Sequence, residues 1–137
     1  MITAVDTNIL IDVLEPDPVF GPASRDALKR CRKEGAIVAC EVVWAEVASS
    51  NQIPLQDLVA ALERIGLEYS PIEKESAVEA ARSWRMYRGT MLGRDRITAD
   101  FLIGAHAARQ CDRLLTRDRG FYREYFSGLR VIEPRGD

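Results

Sequence analysis

The sequence predicts an α/β protein whose mostly parallel central sheet is covered on both faces by helices. Two observations lead there. Short apolar runs (ITAV, AIVAC, LEYSPI, RLLT and LRVIE) alternate along the chain with longer stretches whose apolar residues recur at helical spacing. ITAV and AIVAC are apolar almost throughout, as expected of strands buried on both faces. No internal repeat, low-complexity tract or linker interrupts the alternation, so residues 1–137 read as a single domain.

Each element has a local reason. ITAV is a short strand closed by Asp6, and TNILIDVLE continues as a helix with Thr7 as its expected N-cap. Pro16, Pro18, Gly21 and Pro22 mark PDPVFGP as a loop. SRDALKRCRKEG has helical spacing and ends on Gly35, a residue suited to the position after a helix. AIVAC forms the second strand and EVVWAEVASS the helix after it. Pro54 opens the helix LQDLVAALERIG, which Gly66 stops. LEYSPI reads as a third strand and residues 74–88 as a long helix. GTMLGRDRI is a loop, and TADFLIGAHAARQ is a helix with Thr98 as its cap. RLLT is a fourth strand, FYREYF a short helix and LRVIE a last strand.

Composition narrows the function classes. No apolar run approaches the roughly 20 residues of a membrane span, and the opening residues do not read as a signal peptide. Cys31, Cys40 and Cys111 are odd in number and lack metal-type spacing. A disulfide framework and a thiolate zinc site are therefore not expected, and a reducing cytoplasm fits. The net charge of −2 argues against nonspecific nucleic-acid binding by bulk charge. Charge is unevenly spread, however. Residues 1–68 hold 6 basic and 11 acidic side chains, whereas residues 69–137 hold 13 basic and 10 acidic. Of the 19 cations 16 are arginine, the better bidentate partner for phosphate, although solvated helix faces are the simpler reading for most of them.

Four acids stand where strands should end or helices begin: Asp6, Glu46, Asp100 and Asp118. In open α/β sheets ligands bind beyond the carboxyl ends of the strands, and short connections would bring all four to that edge. Gathered carboxylates repel one another and are costly to desolvate, so a fold that collects them commonly does so to bind a hard divalent cation. Mg²⁺ or Mn²⁺ beside many arginines points to phosphodiester chemistry. Glu41 competes with Glu46 for the ligand role but also suits the start of its helix. Asp12 and Asp95 read as surface residues, and the lone His106 as a packed or partly exposed side chain rather than a catalytic one.

In these residues the chain resembles the PIN-domain ribonuclease family, in particular its small stand-alone toxin branch of VapC type. Asp6-Thr7-Asn8 resembles the family's opening motif. Glu46 matches its glutamate after the second strand, and Asp100 its third acidic position, followed by a helix of small residues. Thr116-Arg117-Asp118 with Phe121 matches its closing signature. The resemblance covers nearly the whole chain. It implies a three-layer α/β/α fold and Mg²⁺- or Mn²⁺-dependent endonuclease cleavage of single-stranded RNA. Asp6, Glu46, Asp100 and Asp118 would be the catalytic metal ligands, with Thr7, Asn8 and Thr116 orienting them. It also implies a small antitoxin protein as partner and a homodimer. Arg94, Arg96, Arg117 and Arg119, which neighbour Asp100 and Asp118, are candidates for RNA contact. One departure is Gly120, near which family members commonly carry a further acid, and this bears on a second metal ion.

Other readings are an RNA-processing or decay nuclease without an antitoxin, and a PIN-like module that binds RNA or protein without cutting. A zinc hydrolase lacks its ligands, and no P-loop or dinucleotide fingerprint is present. A haloacid-dehalogenase-type phosphatase would want an acid where this chain has Asn8.

Overall fold

The computed structural model describes residues 1–50, 52–88 and 97–135. Its sheet is built from β1 (Ile2–Val5), β2 (Ala36–Ala39), β3 (Leu67–Tyr69), β4 (Arg113–Leu115) and β5 (Val131–Ile132). The hydrogen-bonded order is β3-β2-β1-β4-β5, and all four pairings are parallel. β1 is central, with Ala4 opposite Val38 on one side and Leu114 on the other. That position explains why Thr3, Ala4 and Val5 are all buried.

The helices are α1 (Thr7–Leu14), α2 (Gly21–Glu34), α3 (Glu41–Ser49), α4 (Leu55–Arg64), α5 (Lys74–Arg88), α6 (Ala99–Gln110) and α7 (Arg119–Tyr125). The chain steps one way from β1 to β3, then crosses to β4 and steps the other way to β5. Right-handed crossovers place the helices of the two halves on opposite faces, which gives the α/β/α layering. Among the described residues no helix is long and apolar enough to cross a membrane.

Burial follows the expected periodicities. In α2 Ser24, Ala27, Leu28 and Cys31 face inward at three- and four-residue spacing, and in α4 Leu58 and Leu62 do so. The helix α6 is buried nearly all round, through Phe101, Ile103, Gly104, Ala105, His106 and Ala107. Gly104 is required there, because a β-carbon would stand 2.4 Å from the Phe126 ring. Phe101 centres an aromatic group, with ring centroids 5.4 Å from Trp84, 5.1 Å from Tyr87 and 5.2 Å from Phe121. These edge and tilted contacts lock α5, α6 and α7 together and so fix the start of α6.

Two local expectations are corrected, and a third holds in position only. The N-cap of α1 is Asp6, not Thr7, and its carboxylate accepts the Thr7 N–H. Gly21 and Pro22 belong to α2 rather than to the preceding loop, since proline lacks the N–H that a first turn leaves unused. Thr98 does occupy the cap of α6, but its side chain makes no capping hydrogen bond. The expected loop at GTMLGRDRI falls at 89–96 outside the described residues.

Candidate functional site

The sheet reverses its winding between β1 and β4, the kind of switch point at which open α/β sheets bind ligands beyond the carboxyl ends of the strands. Asp6 stands at that point, its N–H donating to the Leu115 carbonyl at 3.0 Å. Its carboxylate is 4% exposed and receives the Thr116 hydroxyl at 2.6 Å, the Thr7 N–H at 2.8 Å and Asn8 Nδ2 at 3.4 Å. Thr116 Oγ1 in turn accepts the Asp118 N–H at 2.9 Å, and Asn8 Oδ1 accepts the Arg117 N–H at 3.2 Å. The two motifs that end β1 and β4 are thus tied together across about 110 residues of sequence. Glu46 enters from α3, where its Oε1 accepts the Thr7 hydroxyl at 2.6 Å. Burial raises the pKa of Asp6, while hydrogen bonds from Thr116 and Thr7 oppose that rise.

Asp100 lies in the first turn of α6, half-buried. Burial first, then the charges of Asp6, Glu46 and Asp118, push its carboxyl up to about 6. Each of the other three expected acids therefore acts on Asp100. Below them the fully buried Tyr122 of α7 is close enough to lower the pKa of both Asp6 and Asp100. Its hydroxyl nonetheless makes no hydrogen bond of normal geometry among the described residues. Those acids raise the Tyr122 pKa after burial has already done so, and the phenol stays protonated. The sequence reading missed Tyr122, although its place four residues after Asp118, within a helix, was a usable signal.

The donor set suits a hard cation. It consists of carboxylate oxygens whose mutual repulsion a divalent ion relieves, with threonine hydroxyls behind them. Among the described residues no group of three or more Asp, Glu, His or Cys side chains stands close enough together to hold a metal ion. The fit is therefore to an open site, in which one or two carboxylates bind directly and water completes the shell.

Other side chains are placed elsewhere. Glu41 Oε1 accepts the Ile72 N–H at 2.9 Å and so ties α3 to the segment after β3. His106 is buried, with Nε2 2.9 Å from Ser70 Oγ and a pKa lowered by desolvation. Asp12 is not a surface residue. It is 3% exposed, accepts the Ser24 hydroxyl at 2.7 Å and receives Arg117 through Nε at 2.8 Å and Nη2 at 3.1 Å. Asp12 follows Asn8 by one helical turn, so it shares the face of α1 that meets the β4 turn. Arg117 also lies over the Phe20 ring, 4.0 Å from its centroid, which leaves its fork engaged in structure. Arg119 sits 3.4 Å from Glu133 and is half exposed. Arg94 and Arg96 lie outside the described residues.

A family profile described as the PIN domain matches residues 3–126. No curated protein sequence matches the chain. Among solved structures, VapBC2 from Rickettsia felis, bound to a fragment of its promoter DNA, has a TM-score of 0.71 at 21% identity. The match covers 97% of this chain and 98% of that one. VapBC-1 from nontypeable Haemophilus influenzae also gives 0.71, at 17% identity and with the same coverage. The sarcin–ricin-loop-cleaving toxin VapC20 of Mycobacterium tuberculosis gives 0.59 at 14% identity, covering 93% of this chain and 98% of that one. At these identities the likeness is one of fold, whereas the profile spans nine-tenths of the sequence and ends just beyond the last acid at the switch point, so the chain belongs to the PIN-domain family.

Proposed function

We propose that this chain is a Mg²⁺- or Mn²⁺-dependent endoribonuclease acting on single-stranded RNA, and that it is the toxin of a toxin–antitoxin pair working in the cytoplasm. The observation that carries the nuclease reading is the grouping of Asp6, Glu46 and Asp118 around Asp100 at the sheet's switch point, where burial first and then their charges push its carboxyl up to about 6. Solved VapBC complexes and a VapC toxin with this fold support the toxin reading and an antitoxin partner. A homodimer fits the same reading.

A divalent cation bound there would neutralise charge developing on the phosphate and supply a water of lowered pKa. The chain's own residues prepare the place. Asp6 is fixed by three donors, so its oxygens keep one orientation. Glu46 is oriented by the Thr7 hydroxyl through one of its two oxygens. Thr116 couples Asp6 to the Asp118 turn, so the two acids hold their relative position. Tyr122, buried and kept protonated, stands next to both Asp6 and Asp100.

The test is cleavage of a labelled single-stranded RNA. EDTA should abolish it and Mn²⁺ restore it, and Asp6→Asn should reduce it by orders of magnitude with the fold intact. Cleavage that survives exhaustive chelation would end the metal-dependent reading. Expression of the wild-type chain alone should arrest growth of its source cell or a close relative, and the Asp6→Asn chain should not.

A further inference from the structure

A second polar cavity, of about 250 Å³, lies between α2, β4 and β5, on the opposite flank of β4 from the β1 pairing. Its lining includes four guanidinium groups, Arg30, Arg113, Arg130 and Arg135, against two carboxylates, Glu34 and Glu133. Glu133 is already drawn to Arg119, 3.4 Å away. Arg30, Arg130 and Arg135 are exposed and pair with no carboxylate among the described residues. Arg113 differs from them. It is 4% exposed, and its Nε donates to Thr3 Oγ1 at 2.9 Å. Its Nη2 stands 3.3 Å from Glu34 Oε2, close enough for attraction but misaligned, so this buried N–H has no hydrogen-bond partner among the described residues. This buried guanidinium is thus held by one imperfectly aligned ion pair, and a phosphate in the cavity would give it a second anionic partner.

Topology accounts for the opening. The early crossovers run away from β4 and β5 towards β2 and β3, and α2 is the helix that lines the cavity beside them. From the cavity a short path leads to the candidate catalytic edge, because Glu133 touches Arg119 and Arg119 follows Asp118. From Arg113 to Thr116 the chain advances about 10 Å along the strand, a distance that a short stretch of RNA covers.

We propose that this cavity is an anion subsite that takes a phosphodiester of the bound RNA, a few nucleotides away from the scissile bond. The inference rests on the nuclease reading for its substrate, and it deepens that reading by giving the strand a second point of attachment. Planar guanidinium forks match phosphate oxygens, and a phosphate would be shared between exposed Arg30, Arg130 and Arg135 and the buried Arg113 Nη2.

The test uses Arg30→Gln/Arg130→Gln in the full chain, with thermal melting to confirm an unchanged fold. In the Asp6→Asn background, binding of an RNA dodecamer should weaken roughly tenfold or more at low salt, and the slope of log K against log salt should become shallower by about 1.4, at about 0.7 per lost contact. A dinucleotide, whose single phosphodiester cannot occupy both places at once, should lose little affinity in the variant. Inorganic phosphate titrated by calorimetry separates the two sources of the anion. Phosphate binding that is lost in the variant, with dodecamer binding unchanged, would make this a free-phosphate site and overturn the RNA subsite. Equal dodecamer affinity and salt slope with no phosphate binding would overturn it as well. If the wild type cleaves neither RNA, the nuclease reading fails, while the binding arm still decides the subsite.

Discussion

Replacing Asp100 with asparagine should make the metal-free protein more stable while destroying its proposed activity. The carboxyl moves from 3.8 to about 6 on folding, through burial and the charges of Asp6, Glu46 and Asp118. Roughly two pKa units correspond to ~3 kcal/mol at ~1.4 kcal/mol per unit. Asp100 is only half-buried, and solvent screening reduces that to roughly half, ~1.5 kcal/mol. Against it stands the favourable interaction of a carboxylate with the first turn of α6, ~0.5 kcal/mol, which asparagine forfeits. The net gain is ~1 kcal/mol, or about 3–5 °C in melting temperature for a chain of this size. The sign follows from linkage. The folded state holds the Asp100 proton more tightly than the unfolded chain, so the wild type pays no penalty below about pH 4 and loses stability as pH rises towards about 6. The advantage of Asp100→Asn should therefore be absent near pH 4 and complete by about pH 7. Thermal melts in EDTA across that range read it directly. Adding Mn²⁺ should stabilise the wild type more than the variant and close the gap. A difference that does not change with pH, or a variant less stable than wild type at neutral pH, would refute the repulsive acid group.

Three further outcomes follow from the same geometry. Glu46→Gln should cut RNA cleavage by orders of magnitude, whereas Glu41→Gln, which keeps an acceptor for the Ile72 N–H, should leave cleavage nearly unchanged; the reverse pattern in a rate assay would move the ligand role to Glu41. Thr116→Val removes the 2.6 Å donor to Asp6 and the acceptor of the Asp118 N–H, and should lower cleavage or metal affinity about 10–100-fold with the chain still folded. Asp12→Ala strips Arg117 and Ser24 of their shared partner and should cost about 2–4 kcal/mol in urea unfolding, with Asp12→Asn costing less because it retains one acceptor.

The element order and the parallel sheet are legible in the sequence alone, and so are the four acids as candidates, because all rest on local signals. Apolar strand runs, proline and glycine punctuation and the DTN and TRD turns are all readable within a few residues. The choice of Glu46 over Glu41 also has a local basis, since Glu41 falls in the first turn of α3 and Glu46 one and a half turns later. Tertiary structure decided whatever depended on a partner far along the chain. Asp12 and Arg113 look like surface charges in sequence, yet long-range pairing buries both, Asp12 through Arg117 and Arg113 through Thr3 and Glu34. Arg117 is drawn into structure by contacts 105 residues away, which no local pattern could announce. Tyr122 reads as one more aromatic in FYREYF until α7 carries its hydroxyl beneath Asp6 and Asp100. The physical reason is the same in each case: helix and strand periodicity fixes which way a side chain faces, but its burial and charge state are set by what packs against it, and that is decided only when β1 and β4 come together.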